Sequence, residues 1–174
     1  MSDLISNSIV ALRAMEPTDL DLLYKWENDT RLWTVSNTIA PYSRETLWKY
    51  LQSSGDDFYT TRQLRLMVTH VGTRETIGTV DLMNFNPVCS RAELGLFIAP
   101  SHQHQGFGAA AIDVVKNYAR NGIGLRQVYV LIPVDNTRCT SLFDQSGFQR
   151  CGILKSWMRQ GHAYQDVVVM QYLF

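Results

Sequence analysis

The sequence predicts a mixed α/β (α+β) fold, one layer of sheet with helices on both faces, and three observations carry that prediction. Two helical stretches precede most of the strands. A block of period-two segments then runs from Leu64 to Ala99 with a short turn inside it. After Pro100 the apolar period changes from two to about 3.6, as it does when a strand gives way to a helix.

Taken in order, Ile9 to Arg13 reads as a first strand, and Glu16-Pro17-Thr18-Asp19 marks the start of a helix to about Asn28 carrying Leu20, Leu23 and Tyr24. A second helix begins near Ser43-Arg44-Glu45 and carries Leu47, Tyr50 and Leu51; the polar run Ser53 to Asp57 reads as a loop. Leu64 to His70, Thr76 to Asn84 and Arg91 to Ala99 read as an antiparallel meander, the first two joined by the Gly72 to Glu75 turn. Ala111, Ile112, Val115, Tyr118 and Ala119 share one face of a helix from about Phe107 to Asn121. Gln127 to Ile132 is a strand and Asn136 to Gln145 a short helix. Cys151 to Arg159 and Tyr164 to Tyr172 form a closing hairpin about Gln160-Gly161-His162.

A chain of 174 residues suits one domain, residues 1–174, with neither repeats nor a linker. Hydrophobic residues at 45% and charged residues at 18% fit an ordinary globular core. Sixteen basic and sixteen acidic residues give no overall field to attract nucleic acid or an anionic membrane. The opening residues Met1 to Asn7 lack a basic, apolar leader, and no run reaches the roughly 18 apolar residues of a span, so a cytoplasmic location is expected. Cys89, Cys139 and Cys151 lack C-x-x-C spacing and read as free thiols rather than a disulfide or zinc set.

The feature with the most chemistry is Gln103-His104-Gln105-Gly106-Phe107-Gly108, between the apolar strand ending at Ala99 and the helix starting near Phe107. A helix start exposes unpaired N–H groups and the positive end of the dipole, and glycines let a phosphate approach that backbone. The dinucleotide pattern G-x-G-x-x-G fails at Ala111, and no Gly-Lys-Ser or Gly-Lys-Thr is present. A plain strand-to-helix turn is the bland alternative. His102 and His104 lack a third ligand nearby, so no metal site is expected.

The pattern Gln103-x-x-Gly106-x-Gly108, with its strand and helix, resembles the acetyl-CoA signature of the GNAT N-acetyltransferases. Asn136 to Phe148 resembles the family's Asn-to-Gly-Phe segment after the fifth strand. Ser90 to Gly95 is similar to the fourth strand of the spermidine and ribosomal-protein N-terminal acetyltransferases. The resemblance implies a mostly antiparallel sheet of about six to seven strands, splayed between strands 4 and 5, with acetyl-CoA as cosubstrate and no metal. It places the pantetheine arm against the backbone of Phe97, Ile98 and Ala99. The pyrophosphate falls on Gln103, His104, Gln105, Gly106, Phe107 and Gly108, with Asn136 and Phe143 also beside the cofactor.

Ala92, Leu94, Leu96 and Ile98 share one strand face, which puts Glu93, Gly95 and Phe97 on the other, toward the implied acceptor side. The resemblance makes Glu93 a candidate general base; the alternative is a carboxylate paired with Arg91 or Arg65. Glu27, Asp81 and Glu93 are candidate acceptor-binding acids, with surface pairing as the alternative. Phe143 stands where many members carry a tyrosine that protonates the departing thiolate; Cys139 is the candidate substitute donor, the alternatives being a plain helix-face residue there and protonation of the thiolate by water. The expected partners are a small-molecule or peptide amine, neither nucleic acid nor membrane, with a homo-oligomer left open. The rival expectation is an acetyl-CoA-binding sensor without turnover.

Overall fold

The computed structural model describes residues 4–33, 38–53, 55 and 57–174; Met1 to Asp3 and the loop residues Ser54 and Asp56 lie outside the described residues. Seven strands form one sheet in the order β1-β2-β3-β4-β5-β7-β6. They are β1 (Val10–Arg13), β2 (Leu64–His70), β3 (Thr76–Asn86), β4 (Arg91–Ile98), β5 (Gln127–Pro133), β6 (Gln149–Gln160) and β7 (Ala163–Leu173). The helices are α1 (Leu20–Glu27), α2 (Arg44–Ser53), α3 (Phe58–Thr61), α4 (Phe107–Tyr118) and α5 (Thr137–Gln145). Every strand pair is antiparallel except β4 with β5.

Alternation along the strands sorts the core into two layers. Val68 of β2, Val80 and Leu82 of β3 and Leu94 of β4 face α4, whose Ala111, Ile112 and Val115 are buried against them. Met67, next to Val68 and therefore on the opposite face, packs with Leu23 of α1 and Leu47 and Leu51 of α2. Helices thus cover both faces, as the sequence predicts. The aromatic pair after the predicted loop forms the extra turn α3, where Phe58 stacks on Phe85 at 4.4 Å. The long helix ends one turn early: Ala119–Ile123 widens into a π-turn closed by Gly124 at φ 82°.

The entry to α1 is fixed by a buried ion pair. Asp19, 3% exposed, accepts two 2.7 Å bonds from the Arg13 guanidinium and one of 2.8 Å from the Glu16 N–H. Burial alone would raise the Asp19 pKa, but the Arg13 bonds, the Glu16 amide and the Arg13 charge together hold it below the ordinary carboxylate value. Asp19→Asn removes the charge opposite Arg13, which is 34% exposed and keeps its bonds to Ala14 O and Thr76 Oγ1, and is expected to cost about 1–2 kcal/mol in denaturant unfolding. Because the folded pKa is depressed, the stabilisation is complete above the unfolded value of about 3.9 and is lost as pH falls through the lower folded value. The variant should lack that acid-side slope.

Candidate active site

β4 and β5 pair in parallel only at Arg91 with Gln127, Ala92 with Val128 and Glu93 with Tyr129; beyond them the two strands part. A cleft of about 730 Å³ opens at the parting, lined by both strand ends, α1, the start of α5 and the middle of β6. The Ala99 N–H bonds Ile77 O across the β3 edge at 2.8 Å. Alternation along an antiparallel ladder therefore turns Phe97, two residues back, toward β3 as well, and directs the N–H groups of Leu96 and Ile98 into the gap. This corrects the expected backbone set of Phe97, Ile98 and Ala99. Ile98 remains, Leu96 joins it, and the Phe97 and Ala99 amides serve the sheet.

The glycine turn touches the cleft through Gln103. Gly106 caps α4 at φ 83°, in the left-handed region, and His104 before it has φ 64°. The first α-helical bond of α4 runs from the Ala110 N–H to Gly106 O at 3.1 Å, so the amides of Phe107, Gly108 and Ala109 precede the ladder. They form an anion seat at the positive end of the helix. Gly108 has a different reason to be glycine: a Cβ there would lie 3.2 Å from Leu142 Cδ2, so it lets α4 approach α5.

Gln103 does not offer its side chain freely to a phosphate. Its Nε2 donates to Ile98 O at 2.9 Å and staples the turn to the end of β4. Gln105 bonds Ser101 O at 3.1 Å, His104 is exposed, and the Phe107 ring packs 5.2 Å from His70. His102 lies 3.3 Å from Glu75, and among the described residues no group of three His, Cys, Asp or Glu is placed to hold a metal ion.

Glu93 lines the cleft half-buried, and among the described residues it has no ion pair, with neither Arg65 nor Arg91. It accepts 2.8 Å from Asn84 Nδ2. Asn84 has φ 51°, a conformation asparagine tolerates better than most residues, at an irregularity in β3 opposite β4. On the other side lies Tyr129, paired with Glu93 in the β4–β5 register; burial, then the Glu93 charge, pushes its phenol above its ordinary pKa.

The other two expected acids are not free. Arg65, on β2, reaches Asp81 Oδ1 through Nε at 2.6 Å and Glu27 Oε1 through Nη1 at 2.5 Å, and lies under the Tyr50 ring at 5.6 Å. Burial pushes the Asp81 carboxyl up and Arg65 pulls it back only in part. The triad ties α1 to the sheet. No periodicity encodes an interaction between residues 27, 65 and 81, so sequence reasoning missed it.

Asn136 caps α5 through Oδ1, which accepts from Cys139 N–H at 3.2 Å; this bond leaves its Nδ2 for the cleft that Asn136 lines. Phe143 lines the cleft floor but is 2% exposed and packs edge-on against Phe148 at 4.9 Å. Burial raises the Cys139 thiol to about 11. A thiol that weak donates uphill to a CoA thiolate, whose conjugate acid titrates roughly two units lower, at about 8.5. Cys139 can hydrogen-bond sulfur but is a poor acid. Cys139→Ala is therefore expected to keep kcat within about threefold, against the 100-fold or greater loss that removing a general acid brings.

A cleft between parting parallel strands with free edge amides along one wall can take an extended ligand. The match to known proteins agrees. Residues 10–149 match the family model for the acetyltransferase (GNAT) domain. Over 171 residues the chain is 27% identical to spermidine N(1)-acetyltransferase of Vibrio cholerae, covering 96% of this chain and 94% of that one. The structure of spermidine N-acetyltransferase from that organism with CoA and spermine superposes with a TM-score of 0.87 at 27% identity, covering 96% of each chain. A dodecameric form of it gives 0.79 at 28% identity, covering 96% of this chain and 95% of that one. Over 94 residues, 53% of this chain and 52% of the relative, it is 32% identical to ribosomal-protein-serine acetyltransferase of Escherichia coli. The chain belongs to the GNAT acetyltransferase family. It is an acetyl-CoA-dependent N-acetyltransferase.

Proposed function

We propose that this chain moves an acetyl group from acetyl-CoA to a primary amine by direct attack within a ternary complex, with Glu93 as the group that receives the amine's proton. The observation that carries the proposal is the parting of β4 and β5 immediately beyond Glu93, which sets the one lining carboxylate without a cationic partner beside the free edge amides. Acetyl-CoA bound there supplies an acyl carbon activated by its thioester.

The remaining work falls to the chain. The Phe107 to Ala109 amides hold phosphate charge, the Leu96 and Ile98 amides bond the extended arm, and Asn136 Nδ2 is a further donor. A primary amine with a pKa of about 10 is almost wholly protonated at pH 7 and has no lone pair to attack with. The Glu93 carboxylate accepts its proton, directly or through water, while Asn84 holds the carboxylate in place. The amine nitrogen then bonds to the acyl carbon, the carbon–sulfur bond breaks, and the thiolate takes its proton from solvent. Phe143 has no proton to give, and the Cys139 thiol is too weak an acid.

The relatives' names put polyamines and a ribosomal-protein serine first among acceptors to try. The exposed Ile153 and Tyr164 on the β6–β7 arm, with β6 at the sheet edge, support a homo-oligomer. The free thiols Cys89, Cys139 and Cys151 suit a reducing cytoplasm, and among the described residues no helix is long and apolar enough to cross a membrane. The test is thiol release from acetyl-CoA with polyamines, small amines and peptides. Amine-dependent release supports the proposal; tight CoA binding without turnover on any acceptor supports the sensor instead.

A further inference from the structure

The charges of the cleft narrow the acceptor. Of its lining residues only Glu27, Asp81 and Glu93 are acidic and only Arg65 is basic. Arg65 sits at hydrogen-bonding distance from both Glu27 and Asp81, and its side chain is only 17% exposed. A second ammonium approaching that wall meets a fixed guanidinium already occupying one oxygen of each carboxylate. In the stretch joining α1 to α2, residues 28–43, Asp29 is the one acid, and the Arg31 guanidinium already bonds it at 2.6 Å. Leu32, at the start of that stretch, lines the cleft.

Beside the uncharged polar groups of Thr79, Asn84, Gln103 and Asn136, the cleft presents apolar side chains. Trp26 of α1 meets Phe97 of β4 edge-on at 5.1 Å, and Leu32 and Met83 line the same cleft. Trp157 lines it from β6, in the segment that leaves the β7 register between Leu154 and Met158. Asp166 anchors that segment through Lys155 Nζ at 2.7 Å and Ser156 N–H at 2.8 Å. Trp157 is nevertheless 57% exposed, an unfilled aromatic surface at the cleft.

From these charges and rings we infer that the acceptor is an amine with one cationic group and an apolar flank, the chemistry shared by a peptide α-amine beside an apolar side chain and a small arylalkylamine. The inference rests on the acetyl-transfer reading above. One ammonium is served by Glu93 and its flank by Trp26, Phe97 and Trp157. The further ammonium groups of a polyamine find no unpaired carboxylate in the described cleft.

The test compares kcat/KM for 2-phenylethylamine, a short peptide amide with a free α-amine and an apolar first residue, 1,4-diaminobutane, spermidine and spermine. The same amines are ranked by calorimetric binding to the protein loaded with CoA, so the order is read even without turnover. At least one apolar monocation should exceed spermidine tenfold or more, and values should not climb from diamine to spermine. The two monocations differ in which source they represent, peptide or small amine. If spermidine equals or exceeds both of them, the inference is overturned. If the binding order favours a monocation but nothing is acetylated, the acetyl-transfer reading fails, while the cleft's preference for one cation with an apolar flank holds.

Discussion

Glu93→Gln is expected to lower kcat at pH 7 by about 100-fold, the scale of a lost general base, while CoA affinity stays unchanged. Glutamine keeps the shape and still accepts from Asn84 Nδ2, whose bond to Glu93 is 2.8 Å, so packing is little disturbed. It cannot accept the ammonium proton. The loss should shrink as pH rises toward the amine pKa of about 10, because free amine then arrives already deprotonated. A variant with wild-type kcat across pH 6 to 9 would remove Glu93 as the base, leaving bulk water to take the proton.

Gly106→Val is expected to weaken CoA binding about tenfold, through backbone conformation rather than crowding. A Cβ at Gly106 meets nothing within 4 Å, so the phosphate turn has space for a side chain. What it lacks is tolerance: φ is 83°, and a β-branched residue there costs about 1–2 kcal/mol or drives the turn to another shape, spoiling the alignment of the Phe107 to Ala109 amides. A cost of 1.4 kcal/mol corresponds to about tenfold in Kd. Gly106→Ala should show a smaller loss of the same sign. Unchanged Kd in the valine variant, measured by calorimetry, would mean that phosphate charge is held elsewhere.

How much of this was legible in the sequence depends on the range of the interaction. Period two along Ala92 to Ile98 separated the core face from the face carrying Glu93, and the change of period after Pro100 located the helix that receives the phosphate. Those patterns are local. The pairing of Arg65 with Glu27 and Asp81 joins a helix and two strands, and the sequence therefore left Asp81 open between an acceptor acid and a paired one, with no partner named. The splay followed from the family resemblance, but the amides it frees follow from ladder parity, which only the registered β3 and β4 partners fix. Gln103 looked like a phosphate donor because its place in the motif is visible and its bond to Ile98 O is not. The irregularities that aim Asn84 and Trp157 likewise arise from strand register, where one inserted residue changes the face.

The central claim is that CoA lies in the parting of β4 and β5 with its phosphates on the start of α4. Residue-resolved amide hydrogen exchange with and without CoA tests it most directly. The account predicts that exchange slows at Leu96 and Ile98 and at Phe107, Gly108 and Ala109, while the sheet-bonded amides of Phe97 and Ala99 change little. Protection confined to other elements, with these five amides unaffected by saturating CoA, would contradict it.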